Sequence, residues 1–82
     1  MKLYPLGANM TEVVTAHAAI LFSYQTPVAA YSSELGYLRT SKHWSSTTSR
    51  HINKWFKGMN LESKDAREMG QEFFDSLTLG VK

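Results

Sequence analysis

Residues 19–31 read AILFSYQTPVAAY, and the fold of this 82-residue chain turns on them. Ile20, Phe22 and Tyr24 alternate with Leu21, Ser23 and Gln25, a period of two that predicts one long β-strand with these two sets on opposite sides. Pro27 has no N–H to give to a ladder. The strand is therefore expected to bend there or to lie at a sheet edge, with Thr26 held extended.

The neighbouring segments extend the pattern. TEVVT (residues 11–15) is short and β-branched, which predicts a strand before it. After it, a hairpin through Ser32, Ser33 and Glu34 leads into LGYLRTS (residues 35–41), a third strand, so the sheet is most simply an antiparallel meander.

From Thr48 the period changes. Ile52, Trp55, Phe56 and Met59 recur at i, i+3, i+4 and i+7, the apolar stripe of an amphipathic helix stopped near Gly58. Ala66, Met69, Gly70, Phe73 and Leu77 suggest a second helix, with Ser63 as its N-cap, Asp65 in its first turn and Gly80 past its end. The expected fold is α+β. One domain, residues 1–82, holds a three-stranded antiparallel meander followed by two helices packed on one face, and the other face stays polar or binds something.

Composition bounds the function. At 43% hydrophobic and 20% charged the chain is too apolar for a disordered tail, yet so short that its core is thin. With no cysteine, neither disulfides nor thiolate zinc sites can supplement that core. Neither a signal-peptide run nor a membrane span is visible, and no partnership with a membrane is expected.

Net charge is only +2, but it is unevenly placed. Between residues 39 and 57, Arg39, Lys42, Arg50, Lys54 and Lys57 meet no acid. Beyond residue 60, Glu62, Asp65, Glu68, Glu72 and Asp75 outnumber Lys64, Arg67 and Lys82. Such asymmetry points either to an anionic partner or to pairing between the two halves.

The stretch LFSYQTPVAAY, followed by GYLRTSKHWSSTTSRHINKWF, resembles a family of small uncharacterised proteins encoded in phage genomes. A Ser-Tyr-x-Thr-Pro-Val-Ala strand and a Thr-Thr-Ser-Arg-His-Ile-Asn-Lys-Trp helix start carry the likeness, over about residues 6–57. The resemblance implies a viral origin and a place in the host cytoplasm. Host takeover, counter-defence or genome handling form the background of roles, and no activity comes with them.

No constellation argues for catalysis. Ser49 and His51 lie two apart, about 200° around a helix, so their side chains diverge, and no acid between residues 35 and 61 orients the histidine. His17, His43 and His51 match no metal-ligand spacing, and no metal or other cofactor is expected. The hydroxyl run instead suits a helix start. One of Thr47, Thr48 or Ser49 is the expected N-cap, and the surplus hydroxyls near Arg50 and Lys42 form a candidate phosphate contact.

The sharper signal is cationic. Arg50, Asn53, Lys54 and Lys57 fall at i, i+3, i+4 and i+7, opposite the apolar stripe, and like charges at that spacing repel. Their negative partner is either nucleic-acid phosphate, with Arg39 and Lys42 adding contacts and Tyr37 or Trp44 stacking, or the acidic last helix. Trp44 could equally staple the helix start, while Trp55 belongs to the core. The sequence reads as a non-enzymatic polyanion-binding module. Its rival is a module that binds a host or viral protein through the aromatic sheet face or the acidic helix, and an exposed edge near Pro27 suits a homodimer.

Overall fold

The computed structural model describes residues 2–77, Ser63 by its backbone alone. Strands β1 (Lys2–Gly7), β2 (Met10–Val14), β3 (Ala18–Ser23), β4 (Thr26–Ser32) and β5 (Gly36–Thr40) are followed by helix α1 (Ser46–Lys57), a 3-10 turn (Ser63–Asp65), β6 (Arg67–Met69) and α2 (Gln71–Leu77). The strands form one sheet in the order β1-β2-β3-β4-β5-β6. Every neighbouring pair is antiparallel except β5 and β6, which run parallel.

The three-stranded sheet expected from the sequence is thus corrected to a six-stranded mixed sheet, still within an α+β fold. The decisive error is residues 19–31. They form not one strand but the β3–β4 hairpin, turning at Tyr24 and Gln25 with Ser23 opposite Thr26. Tyr24 takes φ of 59°, the positive value that primed hairpin turns demand of a first central residue and that glycine usually supplies. A tyrosine gives no such signal in sequence.

Why the alternation misled is visible in the burial. Ile20 and Leu21, then Val28, Ala29 and Ala30, are all essentially inaccessible although successive residues point to opposite faces. Central strands covered on both sides read as continuous apolar runs.

The two helices do the covering, one on each face. Leu21 and Ala29 pack with Ile52, Trp55 and Phe56 of α1, joined by Met10, Val28 and Ala66. Ile20, Ala30 and Leu38 pack with Phe74 of α2. Leu21 pairs with Ala29 and Ile20 with Ala30, so the clusters lie on opposite sides of the sheet. Packing of both helices on one face is therefore wrong.

The route between layers explains the arrangement. A parallel neighbour cannot follow β5 by a tight turn, so the chain crosses back through α1, lays down β6, and leaves past Gly70 onto the far face as α2. Ala66 and Met69 share helical spacing with Phe73 and Leu77, but Ala66 lies in the bend before β6 and Met69 within β6, and Ser63 opens a 3-10 turn where an α-helix cap was expected. Gly80 lies outside the described residues.

The edges differ from expectation as well. β1, which no sequence pattern announces, is one edge, and all six of its residues are exposed. Pro5 is tolerated there, and a shift of register between Pro5 and Gly7 bulges the strand. Pro27, by contrast, is buried in interior β4 beside the bulge between Leu21 and Phe22.

Candidate functional site

Helix α1 carries most of the candidate residues, and its start is set by a serine other than those expected. Ser45 is the N-cap: its backbone is extended and its Oγ accepts from the Thr48 N–H at 3.1 Å. The capping role assigned to Thr47, Thr48 or Ser49 is thereby corrected. The helix begins two residues earlier than the apolar stripe reveals, because a cap is defined by backbone geometry and five consecutive hydroxyls offer several candidates.

Thr48 has another task. It is buried, and its Oγ1 lies 3.0 Å from Ser23 Oγ at the end of β3. Ser23 in turn lies 2.8 Å from Nδ1 of His51. These three groups form a polar knot tying the β3–β4 turn to α1. Ser23 is 1% exposed, so its hydroxyl cannot meet a substrate, and among the described residues no carboxylate hydrogen-bonds His51. The knot satisfies buried polar groups, which would otherwise cost about 1–3 kcal/mol each.

His51 is held below its ordinary pKa of 6.5, first by burial and then by the Arg50 and Lys54 cations beside it. The ring of Tyr24 stands 6.1 Å from it. Tyr24 is 53% exposed and lies in the strained turn, so an exposed aromatic ring is held against the histidine on which the Arg50 and Lys54 charges act. The sequence pattern alone places this residue in mid-strand. The available signal was length, since thirteen residues exceed the usual five or six of a strand.

The cationic ridge forms as its spacing predicts. Arg50, Asn53, Lys54 and Lys57 are exposed on α1, while Ile52, Trp55 and Phe56 are buried. Trp55 is core, and its indole N–H donates to Glu12 at 2.7 Å. Lys54 and Lys57 in the last turn also suit the helix dipole. Among the described residues, no carboxylate lies within 4 Å of Arg50, Lys54 or Lys57. The acidic last helix cannot supply one, because α2 lies beyond the sheet.

Other members of the expected site are drawn elsewhere. Arg39 forms an ion pair with Glu68, its register partner on β6, so its charge is already matched. Its Nε is buried without a hydrogen-bond partner among the described residues. Tyr37 packs against Tyr31 and Phe56, at centroid distances of 4.6 and 6.2 Å, and is committed to the core. Lys42 lies 4.0 Å from the centroid of the Trp44 ring. Trp44 keeps a partly exposed ring, but its Nε1 donates to Gln71 at 3.1 Å, which ties it to the start of α2. Thr47 and Ser49 are half-buried on the first turns of α1, where the Ser49 N–H bonds the Ser45 carbonyl.

Beside the ridge lies a shallow cavity of about 320 Å³ lined by Leu6, Met10, Glu12, Lys54, Trp55, Gly58 and Met59. Among the described residues no group of three or more histidines or acids could hold a metal ion, and no helix is long and apolar enough to cross a membrane.

The protein is thus a small α+β domain, a mixed six-stranded sheet with one helix on each face, whose α1 cations Arg50, Lys54 and Lys57 have no ion pair among the described residues. The chain belongs to a family of unknown function, DUF8033, whose model matches residues 1–76. No curated protein and no solved structure matches it.

Proposed function

We propose that this protein is a non-enzymatic module that binds nucleic acid through the outer face of α1, with Arg50, Lys54 and Lys57 as phosphate contacts and Lys42 as an outlying one. The observation that carries this reading is the ridge itself: three cations on one helix, bearing no acid among the described residues and cut off by the sheet from the acidic helix. Repulsion between like charges costs a few tenths of a kcal/mol per pair, and an external polyanion relieves it. Arg39, already paired with Glu68, is left out of the contact set.

Titration with a labelled oligonucleotide at several salt concentrations tests it. Binding at about 50 mM salt is expected, and Arg50→Ala with Lys54→Ala should lower the slope of log K against log salt by about 1.4–1.8, the share of two lost phosphate contacts. Arg39→Ala should leave the slope unchanged. A double variant with the wild-type slope would remove α1 from the interface.

A second reading rests on β1. Its exposed edge, with Leu3 at 62% and Leu6 at 39% exposure, suits a protein partner that adds a strand or a second copy of this chain. The resemblance to small phage-encoded proteins supports a host-cytoplasm setting for either reading, with host takeover or counter-defence as the purpose of the second. Capture of one protein partner in the presence of nuclease would favour it, provided that Leu3→Asp abolishes the capture.

A further inference from the structure

The cationic ridge does not stand alone, and what adjoins it discriminates between kinds of nucleic acid. Tyr24 and Arg50 flank His51, and one turn on, Lys54 shares a cavity wall with Leu6 and Met10. The β1–β2 and β3–β4 turns meet at this end of the sheet, where the Tyr24 N–H donates to the Asn9 carbonyl at 2.7 Å. An exposed aromatic ring at His51, the cations Arg50 and Lys54, and a shallow cavity that is apolar except for Glu12 and Lys54 therefore succeed one another along α1.

Tyr24 is held in a costly way. A positive φ is unfavourable for a bulky side chain, and glycine or asparagine would serve the turn better. Yet neighbouring Ser23 is locked to Thr48 and His51, which fixes the turn against α1 and the ring beside the ridge. Over half of the residue remains open to solvent, so burial does not repay the strain. Strain retained at an exposed aromatic beside unmatched charge is the pattern of a contact residue.

We infer that the ligand of the α1 face is single-stranded nucleic acid, with one base stacked on Tyr24 while the adjoining phosphates lie along Arg50 and Lys54. This inference rests on the nucleic-acid reading above and adds the strandedness. Paired bases in a duplex are stacked on one another and present no free face to a ring, whereas an unpaired base does. The ring is sequence-tolerant, because every base has a π-face, so little base preference is expected.

The experiment compares a single-stranded oligonucleotide with a duplex of the same length, using the wild type, Tyr24→Gly and Tyr24→Phe. Glycine suits the positive φ, so Tyr24→Gly should melt no lower than the wild type and yet lose about 5- to 150-fold in single-strand affinity, the range of one base–aromatic stack. Its salt slope should be unchanged, since no phosphate contact is lost. Tyr24→Phe should bind within about twofold of the wild type, as a phenyl ring stacks equally well. Single-strand binding that is indifferent to Tyr24→Gly, or duplex binding as tight as single-strand binding, would overturn the inference while leaving the cationic face in place. Binding of neither oligonucleotide at about 50 mM salt would overturn the underlying reading with it.

Discussion

The two helical layers of this protein are built on opposite plans. α1 has 12 residues, buries Thr48, Ile52, Trp55 and Phe56, and turns cations outward; α2 has seven, buries only Phe74 among its residues, and carries Glu72 and Asp75 on its exposed positions. A sheet whose packed side chains span about 10 Å stands between them, more than the Debye length of about 8 Å at physiological salt. The two charges are thus kept from neutralising each other. A chain near neutral overall presents two electrostatically distinct faces, and only the longer, better anchored helix carries the face proposed to bind.

Emptying either layer of its main anchor should cost the most. Phe56→Ala and Phe74→Ala should each cost about 3–5 kcal/mol in urea denaturation, because both side chains are fully buried. That is a large share of the total for a domain this small, so a variant of either kind should be partly unfolded at 37 °C. If Phe74→Ala cost under 1 kcal/mol, α2 would be an ornament and not a layer.

Each helix also has a polar tie of its own. For α1 it is Ser23 with Thr48 and His51. For α2 it is Gln71, which accepts from Thr40 and Trp44 through Oε1 and donates to the Pro27 carbonyl at 2.8 Å. Ser23→Ala and Gln71→Ala should each lose about 1–3 kcal/mol, since the first takes the Ser23 hydroxyl from half-buried His51 and the second takes the Gln71 amide from the carbonyl of buried Pro27. Equal losses would show that the two layers are tied to the sheet equally well. The cap of α1 is a smaller term: Ser45→Ala should cost about 1 kcal/mol on the same measurement.

A pH dependence confined to the α1 side should be weaker still. His51 faces Ser23 and Tyr24 from the β3–β4 turn and is flanked by Thr48, Arg50 and Lys54 on its own helix. Its folded pKa lies below the 6.5 of the unfolded chain. As pH falls, the unfolded state takes up the proton first, so the histidine's contribution is complete above about 6.5 and is lost progressively below it. The drop in Tm between about pH 7.5 and 5.5 should therefore be smaller in His51→Gln than in the wild type.

What the sequence disclosed follows from the same contrast. α1 was legible because one face is core and the other charged, so Ile52, Trp55 and Phe56 stood out against Arg50, Lys54 and Lys57. β3 and β4 merged into one strand because both of their faces are buried, and their turn uses Tyr24 in place of glycine. β1 was silent for the opposite reason, since an edge strand with all residues exposed shows no alternation. β6 was hidden by its three residues, whose spacing to Phe73 and Leu77 imitates a helix. In the candidate site, Lys54 and Lys57 could be read from spacing alone, whereas the withdrawal of Arg39 and Tyr37 and the arrival of Tyr24 depend on pairings across the sheet that no local pattern encodes.

The parallel pairing of β6 with β5 has a bearing on how the molecule is made. Strands β1 to β5 pair only with neighbours in sequence, so the meander can form as the chain emerges, but Leu38 must wait for Arg67 before the last ladder closes. Until then Ile20, Ala30 and Leu38 lie uncovered, because Phe74 arrives later still. A ribosome paused after α1 would thus hold out a nearly complete sheet with one greasy side bare, and it is in that interval, more than in the finished protein, that this chain would need a chaperone.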